Sequence, residues 1–190
     1  MDIHPSEERI LVAGCKKSES WARKKLYELF APAMLGVIIR YTNDEEKAKD
    51  ILHEGFIKIF TCINSFSGEG SLKGWMRRIF VTTTLDLLRK DYFGLNTDLF
   101  DYIEKVETVE TSAVEKLSAE DILRCISELP KGCRLVFNMH AIEGYSHFEI
   151  AKMLNIKEGT SRSQFAYAKQ LLQEKIQKID THTYKKSKYG

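Results

Sequence analysis

The spacing of apolar residues predicts an α-helix between Asn43 and Ile63. Apolar and small side chains recur there at steps of three and four residues, which is the period of one helix face. Asn43 and Glu46 have the spacing of a capping box, so the helix is expected to begin at Asn43. A second amphipathic pattern begins at Ser71 and places Trp75 on its apolar side. Trp75 is expected to lie in the core, with a wedge into DNA as the alternative.

The same period continues elsewhere, and no strand-like alternation persists. Residues 21–41 predict one or two helices with an interruption near Pro32. Further helices are expected near 119–128, 131–141, 146–154 and 159–177. The fold class is therefore expected to be all-α, with two small helical domains joined by an acidic linker. The expected boundaries are an N-terminal extension over 1–21, a first domain over 22–91, a linker over 92–117, a second domain over 118–178 and a basic tail over 179–190.

Charge is distributed unevenly, although the net charge is only +2. Residues 71–90 carry five Lys and Arg against one acidic residue, and residues 159–190 carry seven against two. Residues 91–117 carry two basic residues against seven acidic ones. Two basic blocks separated by an acidic one suggest two contacts with a polyanion. Solvated helix faces with a basic tail are the alternative that charge alone leaves open.

Residues 143–172 have the pattern of a helix-turn-helix. Ser146 and Glu149 form a capping box ahead of an apolar run, and Ala151 is small enough for a second helix to cross closely. Asn155 stands where the chain must turn, and asparagine tolerates positive φ. In such a motif the start of the second helix enters the major groove, where Arg pairs with guanine and Gln with adenine. The candidate DNA-contacting residues are Thr160, Arg162, Ser163, Gln164, Tyr167 and Lys169. A helical hairpin with a solvated outer face is the alternative.

Catalytic and metal chemistry find no support in the sequence. The four cysteines lack zinc-site spacing and are expected to be buried reduced thiols, which favours a cytosolic protein. His53 and Glu54 lack the second histidine of a zinc protease because residue 57 is isoleucine. His140 and His147 are expected to be surface or capping residues. No catalytic triad, cofactor, secretory signal or membrane-inserted segment is expected.

The chain resembles the extracytoplasmic function (ECF) sigma factors of the sigma-70 family, the promoter-recognition subunits of bacterial RNA polymerase. "LPKGCRLVFNMHAIEGYSHFEIAKMLNIKEGTSRSQFAYAKQLL" looks like the family's fourth conserved region. "LYELFAPAMLGVIIRYTNDEEKAKDILHEGFIKIF" followed by "FSGEGSLKGWMRRIFVTTTLDLLRK" looks like its second region. The likeness covers about residues 22–90 and 119–177.

The resemblance implies partners and residue roles for each region. The second region implies binding to core RNA polymerase, at its beta and beta-prime subunits, through Lys47, Asp50, His53 and Glu54. The loop Asn64–Gly70 within that region implies capture of an unpaired minus-10 base, which costs about a few kcal/mol of unstacking. The residues implied for that capture and for the melted strand are Asn64, Ser65, Phe66, Ser67, Arg77, Arg78, Arg89 and Lys90. The fourth region implies minus-35 recognition by the helix-turn-helix residues named above.

The expected function is that of a sigma factor that binds core polymerase, recognises the minus-35 and minus-10 elements of promoter DNA and promotes melting. The resemblance also implies an anti-sigma factor as a partner, a cytoplasmic location and no catalytic residue of its own. Asn155 departs from the family's usual glycine, and Gln164 and Tyr167 stand where basic residues are common, so the preferred upstream sequence is not implied. A helix-turn-helix regulator acting without core polymerase, and a helical protein-interaction adaptor, are the alternatives.

Overall fold

A computed structural model describes the backbone of residues 4–93 and 118–188 and the side chains of residues 4–89 and 118–179. No strand occurs within those ranges, and the chain divides into two compact units, Met1–Asp91 and Tyr92–Gly190. The prediction of an all-α protein with two helical domains is therefore confirmed. The acidic linker predicted over 92–117 lies outside the described residues, apart from the two residues that end a helix at Phe93.

The described part of the first unit contains four α-helices. They are α1 (Pro5–Lys16), α2 (Ser20–Thr42), α3 (Glu45–Cys62) and α4 (Leu72–Phe93), with a 3-10 turn at Ile63–Ser65 after α3. The sequence pattern did not predict α1, although residues 1–21 were expected to be an extension. Leu11, Val12 and Cys15 on α1 are buried in the same core as α2, α3 and α4. The first helix is thus an integral part of this unit.

The prediction that a helix is interrupted near Pro32 is wrong, because α2 runs unbroken from Ser20 to Thr42. Leu26, Phe30, Met34 and Ile38 recur every four residues on both sides of the proline and are all buried. A proline inside a helix costs about 3 kcal/mol. Burial of that continuous apolar stripe offsets this cost, and the proline itself lies exposed.

The residue that caps the start of α3 lies one position later in the chain than predicted. Asn43 adopts the left-handed conformation at φ 55° and ends α2, with its N–H donating to the Ile39 carbonyl oxygen at 2.8 Å. Asp44 is the residue that caps α3, because its carboxylate accepts from the Lys47 N–H at 3.0 Å. The capping box predicted from Asn43 is therefore wrong, and Asn43 ends one helix before Asp44 begins the next.

Gly55 allows α3 and α4 to approach closely. A Cβ atom built on Gly55 would lie 2.2 Å from the Cε1 atom of Phe80, which is fully buried on α4. The Phe80 ring also meets the Phe56 ring edge to face, with centroids 5.2 Å apart. The glycine thus provides the space in which the central aromatic residue of this core packs.

The second unit contains α5 (Ala119–Ser127), α6 (Lys131–Phe137), α7 (His147–Leu154) and α8 (Glu158–Lys188). The predicted helices are present, but α8 continues beyond residue 177 into the segment expected to be a tail. A π-helical segment at Asn138–Ile142 follows α6 directly. Buried Arg134 joins α5 to α6 by donating from Nη1 to the carbonyl oxygens of Ser127 and Leu129 at 2.8 and 3.3 Å. Its cation satisfies the carbonyls at the C-terminal end of α5.

Candidate nucleic-acid and polymerase interfaces

The corner between α7 and α8 has the geometry that the sequence predicted. Ser146 and Glu149 form a complete capping box: the Ser146 Oγ accepts from the Glu149 N–H at 3.2 Å, and the Glu149 Oε2 accepts from the Ser146 N–H at 2.8 Å. Asn155 ends α7 in the left-handed conformation at φ 55°. These two features fix where α7 begins and where the chain turns into α8.

The inner face of α8 is polar near its start. Ser161 and Gln164 are buried there, followed by the apolar positions Ala168 and Leu172. The Gln164 side chain is 3% exposed, and its amide oxygen accepts from the Cys133 thiol at 2.8 Å. The prediction that Gln164 reaches a base is wrong for this structure, because its amide is turned into the unit and holds α8 against α6. Burial raises the pKa of the Cys133 thiol to about 11, so the thiol keeps the proton that it donates.

The other predicted DNA-contacting residues lie on the outer face of the same helix and along its flanks. Arg162 and Lys169 are exposed, Thr160 and Ser163 are half-buried, and half-buried Tyr167 packs against the core of this unit. Arg162 forms an ion pair with Glu158 one turn earlier, at 2.5 Å. The guanidinium is thus held at the exposed N-terminal end of α8 by a partner on the same helix.

A pair of stacked histidines joins three elements of this unit. The rings of His140, on the π-helical segment, and His147, at the start of α7, lie 4.2 Å apart at an interplanar angle of 20°, and the Phe165 ring of α8 meets both edge-on. The His147 Nδ1 also lies 2.9 Å from the Ser161 Oγ. The prediction of surface or capping histidines missed this contact. Burial lowers the pKa of His147, and the charges of His140 and Arg162 lower it further, while Glu158 opposes them.

The predicted base-capturing loop of the first unit follows α3. Asn64, Ser65 and Ser67 are exposed, whereas Phe66 is 4% exposed and its ring lies 5.3 Å from the Trp75 ring. The prediction that Phe66 stacks on a base is wrong for this structure, because its ring belongs to the core. Trp75 packs against that core as a half-buried residue, which confirms its predicted core position.

The basic residues predicted for the melted strand lie along α4. Arg78 and Arg89 are exposed and Arg77 is half-buried. The side chain of Lys90 lies outside the described residues. The exposed guanidinium groups provide donors along a surface more than two helical turns long.

The predicted polymerase-binding residues share one face of α3. Asp50, His53 and Glu54 are exposed, and Lys47 is half-buried one turn earlier. Ile57 continues the same face at a three-residue step and is 61% exposed. The sequence motif drew attention to position 57 only as a missing histidine, and the exposure of this apolar residue was not predicted. Two signals in the sequence identify Ile57 as part of this face. It lies seven residues after Asp50, and it falls outside the buried stripe of α3.

The described ranges meet the requirements of neither a membrane span nor a metal site. None of the helices there is long and apolar enough to cross a membrane. No group of three or more His, Cys, Asp or Glu side chains in the same ranges is arranged to hold a metal ion.

The chain matches two models of one protein family. The model for sigma-70 region 2 matches residues 26–92, and the model for sigma-70 region 4 matches residues 119–172. The ECF RNA polymerase sigma-E factor of Haemophilus influenzae is 26% identical over 183 residues, which are 90% of this chain and 96% of that protein. The RNA polymerase sigma-H factor of Pseudomonas aeruginosa is 22% identical over 184 residues, 91% of this chain and 95% of that protein.

Among solved structures, this chain is similar to the sigma factor RpoE of Bartonella quintana, determined in complex with the anti-sigma factor NepR. The two chains are 21% identical in sequence with a TM-score of 0.49, and the match covers 81% of this chain and 96% of that one. The two family matches occur in the order region 2, region 4, span most of the chain together, and fall on the two helical units. The chain therefore belongs to the sigma-70 family, as an ECF-type sigma factor for transcription initiation by RNA polymerase.

Proposed function

We propose that this sigma factor reads duplex DNA of the minus-35 element with the start of α8 and captures an unpaired minus-10 base with the loop at residues 64–67. The observation that carries the proposal is the exposed, basic outer face of α8, held by a capped α7 and a left-handed turn. The two recognition surfaces correspond to the proposed domains over 22–91 and 118–178, with the linker over 92–117 between them in the sequence.

The upstream contact is made by Arg162 and Lys169, with Thr160, Ser163 and Tyr167 beside them. Arg162 is bound to Glu158 in the free protein, and its guanidinium exchanges that carboxylate for a base edge in the major groove. An exposed ion pair of this kind contributes only about 0–1 kcal/mol, so the exchange has a small cost. Gln164 contributes indirectly, by holding α8 at its angle.

The downstream contact is made by the polar groups of Asn64, Ser65 and Ser67. Their exposure makes their donors and acceptors available to the edge of an unstacked base. Phe66 supports this loop from the core instead of stacking on the base. Arg77, Arg78, Arg89 and Lys90 provide the cations for the phosphates of the melted strand.

Core polymerase is bound through its beta and beta-prime subunits, and the α3 face of Lys47, Asp50, His53 and Glu54 contributes, with Ile57 at the C-terminal end of that face. An exposed apolar residue beside polar ones is a candidate for the part of an interface where binding energy concentrates. The proposal includes an anti-sigma factor that covers such surfaces in the free protein, a cytoplasmic location, and no catalysis by this chain itself.

Transcription in vitro with purified core polymerase and a promoter library tests the proposal. Initiation should require the chain, depend on both promoter elements, and fall with rising salt because phosphate contacts release counterions. Tight binding to a palindromic duplex without polymerase, together with no effect on initiation, would identify a helix-turn-helix regulator instead. No effect on initiation and no DNA binding would identify an interaction adaptor.

A further inference from the structure

Lys16, in the last turn of α1, holds the backbone of the loop that carries Asn64, Ser65 and Ser67. Its Nζ donates to the Phe66 carbonyl oxygen at 2.9 Å, across 50 residues of sequence. The Phe66 N–H donates to the Ile63 carbonyl oxygen at 3.1 Å, and the Phe66 ring packs against Trp75. Phe66 is therefore fixed through its carbonyl, its amide and its ring.

The helix that carries Lys16 is itself held firmly. Leu11, Val12 and Cys15 of α1 are buried in the core. A Cβ atom built on Gly14 would lie 2.6 Å from the Ala22 Cβ, so the backbone of α1 lies almost in contact with α2. A close approach of this kind leaves α1 little freedom to shift, and the Lys16 side chain reaches the loop from a rigid support.

The part of the loop that follows Phe66 has weaker support. Gly68 and Gly70 adopt positive φ values of 83° and 80°, and open space surrounds the position of a Cβ atom at each of them. The Ser67 Oγ accepts only from within the loop, from the Glu69 N–H at 3.2 Å. Asn64 and Ser65 are held by the 3-10 turn, where the Ser65 hydroxyl donates to the Cys62 carbonyl oxygen at 2.7 Å. The direction in which Ser67 presents its hydroxyl depends on the fixed residue before it, Phe66.

A cavity of about 610 Å³ lies between α1 and this loop. Its lining includes Arg9 and Lys16 of α1, Phe66, Gly68 and Gly70 of the loop, and Lys73 of α4. Because α1 forms one wall and the loop forms another, the Lys16 bond joins the two walls.

We propose that Lys16 is a positioning residue for base capture: by holding the Phe66 carbonyl, it sets the placement of Ser67 relative to the turn that carries Asn64 and Ser65, and thereby the base preference at the minus-10 element. The inference rests on the proposed function of this loop. Lys16 acts through the loop backbone, so its loss changes the discrimination between bases more than it changes polymerase binding or upstream docking.

The test compares Lys16→Met, Lys16→Arg and Lys17→Met in transcription with core polymerase. Each promoter in the set varies one minus-10 position, and the readout is the ratio of initiation at the preferred base to initiation at the least preferred one. Lys16→Met should reduce this ratio about three- to tenfold, the range for the net contribution of one ordinary hydrogen bond. Lys16→Arg should restore most of it. Lys17→Met removes the same charge from the same helix end, at a residue outside the cavity lining, and should leave the ratio unchanged.

A ratio rather than a rate is measured because partial unfolding lowers initiation at every base alike. Equal ratios for Lys16→Met and wild type would overturn the positioning role. Equal reductions by Lys16→Met and Lys17→Met would also overturn it, since charge alone would then explain the effect. Absence of any base preference in the wild-type protein would instead reject the proposed function of the loop, so the two failures are distinguishable.

Discussion

Arg162 and Gln164 lie two residues apart on α8 and meet opposite environments. The Arg162 guanidinium is exposed beside Glu158, and the Gln164 amide accepts a hydrogen bond from a buried thiol. Helical geometry places residues two apart on different faces, so similar polar character in the sequence leads to different roles. The first residue serves the outer surface and the second serves the packing of α8 on α6.

Arg162→Ala and Gln164→Ala should therefore impair different properties, the first promoter selection and the second stability. Arg162→Ala should weaken selection of the upstream element about tenfold, within the ~1–3 kcal/mol of an arginine–base pair, while the melting temperature changes little. Gln164→Ala should lower the free energy of unfolding by about 1–3 kcal/mol, because it leaves the Cys133 thiol without its acceptor. Thermal unfolding and promoter-competition transcription measure the two effects.

Lys178→Ala is the matched control, since it removes one exposed positive charge from the same helix far from its start. An equal loss of upstream selection in Arg162→Ala and Lys178→Ala would show that general charge, and not a placed guanidinium, binds the duplex.

His147 should make the stability of the second unit depend on pH. Burial, followed by the nearby charges of His140 and Arg162, lowers its pKa in the folded state from the ordinary value of 6.5. When the pH falls below 6.5, the unfolded chain binds a proton at His147 that the folded chain resists. The contribution of His147 to stability is therefore fully present above pH 6.5 and is lost as the pH falls towards the lower pKa of the folded state. Melting temperature should therefore decrease over this acid range in the wild-type protein.

His147→Gln keeps an amide within reach of Ser161 and removes the titrating ring. This variant should be less stable at neutral pH, because the stacking on His140 is lost, and its melting temperature should decrease less on acidification. Since all other titrating groups are shared, identical pH profiles for the two proteins would contradict the assignment to His147.

At the scale of elements, the sequence predicted most helices and the turn of the helix-turn-helix motif. It failed where tertiary packing outweighs a local signal. The apolar stripe of α2 continues through Pro32, and α1 is stabilised by burial of only a few residues in a core that local periodicity does not reveal. At the candidate sites, the spacing of Ser161, Gln164, Ala168 and Leu172 is that of an inner face, but the polar character of the first two concealed it. Phe66 was ambiguous because an aromatic ring in a loop suits a core as well as a base.

The contact between α3 and α4 predicts that alanine at Gly55 destabilises the protein, although alanine in place of glycine normally stabilises a helix. Gly55→Ala should lower the free energy of unfolding by about 1–3 kcal/mol, the usual cost of overpacking, because the new methyl group meets the buried Phe80 ring. Gly36→Ala is the control: open space surrounds that position on α2, so alanine should stabilise the helix by up to about 1 kcal/mol. Urea unfolding of both variants measures the difference. If Gly55→Ala were as stabilising as Gly36→Ala, the Phe80 ring would not be confined as described.

At the scale of the whole molecule, the two proposed DNA contacts act together because one chain carries both. Binding by either module raises the effective concentration of the other at the same promoter, so neither needs high affinity alone. The two basic blocks and the order of the two family regions are the sequence features behind this proposed division. The sequence did not indicate the apolar end of the proposed polymerase-binding face, because isoleucine is typical of a core and only the angular position of Ile57 on α3 separates it from the buried stripe.

Ile57→Asp should accordingly weaken binding of core polymerase by about tenfold or more, as expected when a charge replaces an apolar residue that an interface buries. Ile10→Asp makes the same change on α1 at a residue that is 62% exposed, against 61% for Ile57, so the two variants have matched effects on solubility and folding. Fluorescence titration of labelled protein with core polymerase, in the absence of DNA, measures the binding separately from promoter recognition. A loss confined to Ile57→Asp supports the α3 face as the contact with polymerase, because the two substitutions differ only in their place on the unit. Equal affinities for both variants would remove Ile57 from that contact and leave its exposure without a functional role.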